Sequence, residues 1–350
     1  MTGNWIFCAG LIFFSTVYLY MGCKYLPRER FQFLAVIPVR KREDGSWESL
    51  NLTYYGLLTA SALGLGVMVF FTLSTGAGAA LESSLLFLTL VVVAGLIAAR
   101  AFSQWVEGKR HTFTTQGAFW AGGALALPVL ALINALPENF HVDPLPMLPV
   151  FAALTVGYCL AEGWGRLACM SFGCCYGDPL HEMPLWLRRL FENHCFRFEG
   201  ATKKIAYAQG WENVPVFPIQ ALTAALHLVG GSIALAFFLA SEFLIAFWVS
   251  VGVSQGWRFA SEFLRRDHRG AGRWSVYQKG ALVALAYAGL LGWILPETEM
   301  KVIVAGAWPS ILQWKTVLWT LTFSIVTFLY MGRSQVTESQ VTFRVRADRI

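Results

Sequence analysis

The 350 residues are 56% hydrophobic and only 14% charged, a balance no single soluble core could bury. The 27 Lys and Arg against 21 Asp and Glu leave a charge of +6, which in a membrane chain places basic loops against anionic headgroups. No basic-aromatic pattern of a nucleic-acid binder accompanies it. Seven cysteines, at positions 8, 23, 159, 169, 174, 175 and 195, are an odd number and exclude a simple disulfide scaffold.

A bilayer core takes about 17 to 25 apolar residues per helix, and runs of that kind recur along the chain about nine times. They predict spans at residues 4–22, 53–78, 83–100, 117–136, 147–164, 217–240, 243–263, 278–296 and 312–332. The first run has neither a positive n-region nor a small-residue cleavage site, so it is expected to stay as a helix. Glu242 is the lone charge in the tight link between the sixth and seventh spans, which predicts an antiparallel hairpin. The one long connection, 165–216, carries Trp186, Leu187, Leu190 and Phe191 beside Arg188 and Arg189, an amphipathic stretch suited to a membrane interface. No repeat or low-complexity linker divides the chain, so a single membrane domain over 1–350 is expected, with 165–216 as an interfacial head. Lys and Arg gather in 23–52, 100–111, 165–216, 258–279 and the tail. Read by loop charge alone, these face the cytoplasm and the N-terminus lies outside.

An unpaired charge deep in a membrane helix costs about 2.5–3.5 kcal/mol, so charges kept within the spans persist mainly for function. Glu162 and Arg166 lie four apart at the end of the fifth span, on one helix face. Arg258, Glu262 and Arg265 or Arg266 form a similar stripe at the end of the seventh. The forked guanidinium matches a phosphate, which favours a phospholipid headgroup over a neutral ligand. The plainer alternative is a set of snorkelling interfacial charges paired with one another.

The segment GRLACMSFGCCYG at 165–177, followed by FPIQ at 217–220 and RFASEFLRRDHRG at 258–270, resembles the prolipoprotein diacylglyceryl transferase family. YYGLL at 54–58, AGG at 121–123, and Ser275 with Gln278 fit in the same order, so the likeness covers roughly 50–296. The resemblance implies an all-α polytopic membrane protein with a seven-helix transferase-like core and one added helix at each end. It also implies a bacterial cytoplasmic-membrane enzyme that moves diacylglycerol from phosphatidylglycerol to the lipobox cysteine thiol of an exported prolipoprotein. Carried over by position, Arg166, Arg258 and Glu262 are the catalytic candidates, with Tyr55, Gly122, Gly123, Gln220 and Arg265 on the substrate. The two arginines would clamp the phosphate and Glu262 would orient Arg258. The family places 165–216 outside the cytoplasm and the N-terminus inside, against the loop charges.

Three departures stand out. Ala121 occupies the place of the family's His in His-Gly-Gly, the signature's Asn and Glu positions hold Cys169, Phe172 and Cys174, and Leu222-Thr223 replaces a Tyr-Glu pair. The Gly-Cys-Cys-Tyr-Gly form of the signature marks a variant group. A non-catalytic phospholipid-binding member of the family and, further off, a small-solute transporter are the competing readings. Cys174 and Cys175 with His181, His194 and Cys195 match no usual zinc spacing. No metal or cofactor is expected, and the pair reads as packing at a tight Gly-rich turn. His227, inside the sixth span, reads as a helix-packing hydrogen bond.

Overall fold

The computed structural model describes residues 2–107, 115–140, 142–266, 274–296, 299–334 and 336–350. Its elements are α1 (Thr2–Tyr25), β1 (Phe33–Lys41), β2 (Trp47–Thr53), α2 (Tyr54–Gly76), α3 (Leu81–Glu107), α4 (Thr115–Asn134), α5 (Met147–Phe172), α6 (Leu185–Phe191), α7 (Lys204–Gln209), α8 (Ile219–Leu239), α9 (Phe243–Ser261), α10 (Val276–Ile294), α11 (Val304–Ile311), α12 (Trp314–Met331) and β3 (Ser339–Val341). The long helices follow the nine predicted runs in order. Six of them, α1 to α5 and α8, are long and apolar enough to cross a membrane by length and composition. The chain is thus a mostly helical, polytopic membrane protein. In α9 and α10 the buried Ser254, Gln255, Arg258 and Gln278 dilute the apolar signal, because polar groups inside a bundle lower hydropathy without leaving it.

Successive long helices alternate in direction. At one end, the Thr53 N–H before α2 donates to the Gly332 carbonyl after α12 (2.9 Å). Gln116 of α4 donates to Gln255 of α9 (2.7 Å), and Gln278 of α10 to the Phe259 carbonyl (3.4 Å). At the other end, Asn4 of α1 donates to the Val302 carbonyl (2.9 Å) and accepts from the Val304 N–H (3.1 Å). The basic loops therefore collect at one end of the bundle. Part of the 100–111 loop and the DHRG end of the 258–270 motif lie outside the described residues.

Helices α2 and α5 meet along small residues. A Cβ on Gly66 would sit 2.7 Å from Ala161 Cβ and 3.0 Å from the Gly157 carbonyl oxygen, and one on Gly157 would sit 2.8 Å from the Gly66 oxygen. Such contact lets two backbones approach and gain dispersion that bulkier side chains would forfeit. The main apolar core runs through this seam, with Phe70, Phe71, Phe87, Phe151, Trp164 and Phe238 fully buried.

Two features differ from the sequence expectation. Helix α5 does not stop at residue 164. It continues two turns to Phe172, where Gly173 takes the left-handed conformation (φ +66°) that closes helices. Gly163 and Gly165 sit inside the helix, and a Cβ on Gly163 would meet Leu228 at 2.8 Å. The basic stretch 23–52, read as a loop, contains β1 and β2, paired antiparallel from Phe33↔Thr53 to Lys41↔Trp47. Strand β3 joins β2 from the far end of the chain, Trp47↔Val341. At 9 and 7 residues, β1 and β2 are too short to register as spans, and β1 is exposed along nearly its whole length whereas β2 is largely covered.

The residues after Gly173 form a small cap under its own apolar clusters. Phe198, Ile205 and Val216 pack in one, and Leu180, Met183, Phe217 and Ile219 in the other. Lys203, fully buried, donates to the Leu26 carbonyl (3.1 Å) and to the Ser171 carbonyl at the end of α5 (2.6 Å). Helix α6 rests Leu187 and Phe191 on the cap and leaves Leu185, Trp186 and Leu190 exposed, the amphipathic arrangement its sequence predicted.

Candidate functional site

Helix periodicity puts Glu162 and Arg166 one turn apart on α5, and their side chains form an ion pair with each 9% exposed. Tyr158, a turn earlier, donates its hydroxyl to Glu162 (3.3 Å). From α9 and the turn that follows it, Arg258 (3.6 Å) and Arg265 (3.7 Å) both approach the same oxygen of Glu262. The Arg258 guanidinium lies 5.0 Å from the centre of the Tyr277 ring on α10, close enough for a cation–π contact. Ser275 caps α10 by accepting from the Gln278 N–H, while its hydroxyl donates to Glu262 (3.3 Å).

Glu162, Arg166, Arg258 and Arg265 wall one cavity, completed by Gln116, Tyr158, Thr223, His227, Ser254 and Trp257. With Glu262 counted behind the wall, three guanidiniums are paired with two carboxylates, leaving one positive charge in excess. The space between the side chains admits little more than a water molecule. An anion entering it must displace carboxylates from the guanidiniums. The Arg166 Nε, buried, donates to no group among the described residues.

Three residues named from sequence line this cavity, Arg166, Arg258 and Arg265, and a fourth, Glu262, pairs with two of them from outside the lining. The other four do not line the cavity. Tyr55 packs its ring against Phe172 (5.6 Å) at the end of α5. Gln220 donates to the Cys174 carbonyl (2.9 Å). Gly122 faces α3, where a Cβ would meet Val91 at 3.3 Å, and Gly123 has open space around it.

Sequence reasoning missed how α8 contributes. The His227 Nδ1–H donates to the Thr223 carbonyl (2.9 Å) within its own helix, not across helices, and the ring lines the cavity. Thr223 also receives the Trp257 indole N–H (2.9 Å). Thr223 is one of the positions where the chain departs from the family pattern, so the departure itself was the available signal.

Beyond the arginines, the Gly-Cys-Cys-Tyr-Gly turn folds back on α5. The sulfurs of Cys169, Cys174 and Cys175 all lie within 4.8 Å of one another. Cys169, on the helix, completes the group, whereas His181, His194 and Cys195 are not part of it. Hydrogen bonding to the Cys169 and Cys175 thiols, with burial, pushes the Cys174 thiol well above the ordinary range. Gly177 then pairs with Arg265, tying this turn to the arginine stretch.

No curated protein matches the chain. A family model described as prolipoprotein diacylglyceryl transferase matches residues 46–295, a span that takes in α2 to α10, both arginine-bearing helix ends and the Cys-Cys turn, and the chain belongs to that family.

Proposed function

We propose that this protein transfers diacylglycerol from phosphatidylglycerol to the lipobox cysteine thiol of an exported prolipoprotein, at the outer face of a bacterial cytoplasmic membrane. The observation that carries the reading is the convergence of Arg166, Arg258 and Arg265 in one buried cavity, with an Arg166 donor left over. A phosphate diester held there gains charge-assisted hydrogen bonds from forked donors. Those bonds strengthen as the bridging C–O bond breaks and negative charge builds on the departing glycerol phosphate. The acceptor sulfur forms the new C–S bond, and its proton needs a base. With Ala121 in place of the family histidine, His227 takes that part. Its Nδ1–H is committed to the Thr223 carbonyl, so the neutral ring presents Nε2 as a lone pair. Glu262 holds Arg258 and Arg265 in position, and the exposed apolar face of α6 seats the cap on the bilayer surface.

The decisive test is to incubate the purified protein with labelled phosphatidylglycerol and a lipobox peptide. Label should reach the peptide thiol, but not the same peptide with serine in its place. Arg166→Ala and Arg258→Ala should each weaken lipid binding about 10- to 150-fold, the worth of one charge-assisted hydrogen bond. Lysine at either position should rescue only partly, Glu262→Gln should cost less than Arg258→Ala, and Arg346→Ala, exposed on the tail, should change nothing. Lipid binding without transfer would mark a non-catalytic lipid-binding member. Unaltered binding in all three alanine variants would show the arginines to be only interfacial charges.

A further inference from the structure

The three thiols beyond the arginine cavity are more than packing. Cys169 ends the same α5 face that carries Glu162 and Arg166, since residues three apart on a helix are neighbours. The chain then turns at Gly173 and returns Cys174 and Cys175 to it. Cys175 adopts φ +55°, a left-handed conformation that a side chain bearing a Cβ occupies only at some cost. The sulfurs of Cys169 and Cys175 stand 3.9 Å apart. A zinc ion sits about 2.3 Å from each thiolate, which sets tetrahedral sulfurs about 3.8 Å apart. One edge of that tetrahedral face is already present, and the other two need close by no more than about 1 Å to match it.

A second observation lies on the same turn. Gln220, 1% exposed, donates its amide to the Cys174 carbonyl. Its Oε1 accepts from no group among the described residues. A buried amide used on one side only, bonded to the turn that carries two of the three thiols, is a polar group placed for something absent from a purely packed interior. It fits a bound water or other ligand in the outer shell of a metal.

We propose that Cys169, Cys174 and Cys175 hold a thiophilic divalent cation of the zinc class through three thiolates, leaving a fourth coordination position open. Two positive charges against three thiolates leave one negative charge, and Arg166 stands on the same helix face to offset it. Three protein ligands with one open position is the arrangement of zinc sites that accept an external ligand, whereas closed four-ligand sites are structural. Binding releases the three thiol protons to solvent, so affinity falls as pH is lowered.

The test uses the whole chain in detergent, with neither phospholipid nor peptide added, so its outcome is independent of any transfer activity. Elemental analysis should find one zinc per chain after dialysis against a weak chelator. Cobalt(II) added to the stripped protein should give sulfur-to-metal charge-transfer absorption. Cys169→Ser and Cys174→Ser, checked for monodisperse elution, should each weaken binding at least about 10-fold, whereas Cys195→Ser, outside the cluster, should bind like the parent. Less than stoichiometric zinc in the parent with no cobalt charge-transfer band overturns the site, as does undiminished binding in Cys169→Ser. A disulfide between any two of the three in protein kept reduced during purification would overturn it as well.

Discussion

Removing Arg166 should expose how much the cavity depends on paired charge. Both side chains of the Arg166–Glu162 pair are 9% exposed, so Arg166→Ala strands a buried carboxylate. Breaking a buried pair from one side costs about 3–5 kcal/mol. The Tyr158 hydroxyl, 3.3 Å from Glu162, remains and offsets about 1 kcal/mol. The expected loss is therefore about 2–4 kcal/mol in denaturant unfolding of the detergent-solubilised protein. Adding Glu162→Gln removes the stranded charge, so the double variant should regain all but about 1 kcal/mol. Lipid binding should stay lost in that double variant, because restoring stability does not restore the guanidinium. If each single variant costs under about 1 kcal/mol and the double is their sum, the pair behaves like an exposed one. The picture of Arg166 and Glu162 as a buried, mutually dependent pair would then be wrong.

Burial lowers the Lys203 ammonium to about 8, with Glu29 pulling the other way. Between there and its unfolded value near 10.5 the unfolded chain holds a proton that the folded chain has released, so stability should rise with pH across that window, by about 3 kcal/mol in full. Below 8 the penalty is fully present. Lys203→Met should flatten this dependence in unfolding curves, and a parent curve flat from pH 7 to 10 would refute it. Gly157→Val forces side-chain atoms onto the Gly66 carbonyl and should destabilise by about 1–3 kcal/mol through overpacking, read as an earlier unfolding midpoint. Gly123→Ala, with open space around it, should leave the midpoint unchanged. For orientation, a cysteine placed at the exposed Ala208 should react with an impermeant maleimide in intact cells; reaction only after opening the cells would reverse the assigned topology.

Much of the bundle could be read from residues alone, because lipid-facing helices must be apolar along their whole length. Helix α8 begins at Ile219 where 217 was expected, and α10 at Val276 where 278 was expected. The reading failed where a residue's local meaning differs from its packed one. Glu162 and Arg166 close the apolar run in sequence, yet in the fold they pair with each other inside a helix that continues to Phe172. The arginines were found because spacing of three and four residues survives folding unchanged as a shared helix face. Thr223 and His227 share a face of α8, but Trp257 reaches Thr223 only once α8 and α9 pack, and nothing in chain spacing encodes that meeting. The thiol cluster escaped for the same reason, since Cys169 belongs to a helix and its partners to the turn after it.

The strand pairing of β2 with β3 has a consequence for how the chain assembles. The residues joined, Trp47 and Val341, are separated by nearly the whole polypeptide. During synthesis the β1–β2 hairpin is finished early, and one edge of β2 then waits, its amide and carbonyl groups unsatisfied by protein, until every helix has been made. An open edge of that kind is a template for pairing with another chain, and long-range pairings are the slowest to form. The tail from Arg333 onward thus acts as a latch closed last, after the helices have found their neighbours. Loss of that tail should show less as altered chemistry than as self-association of newly made protein.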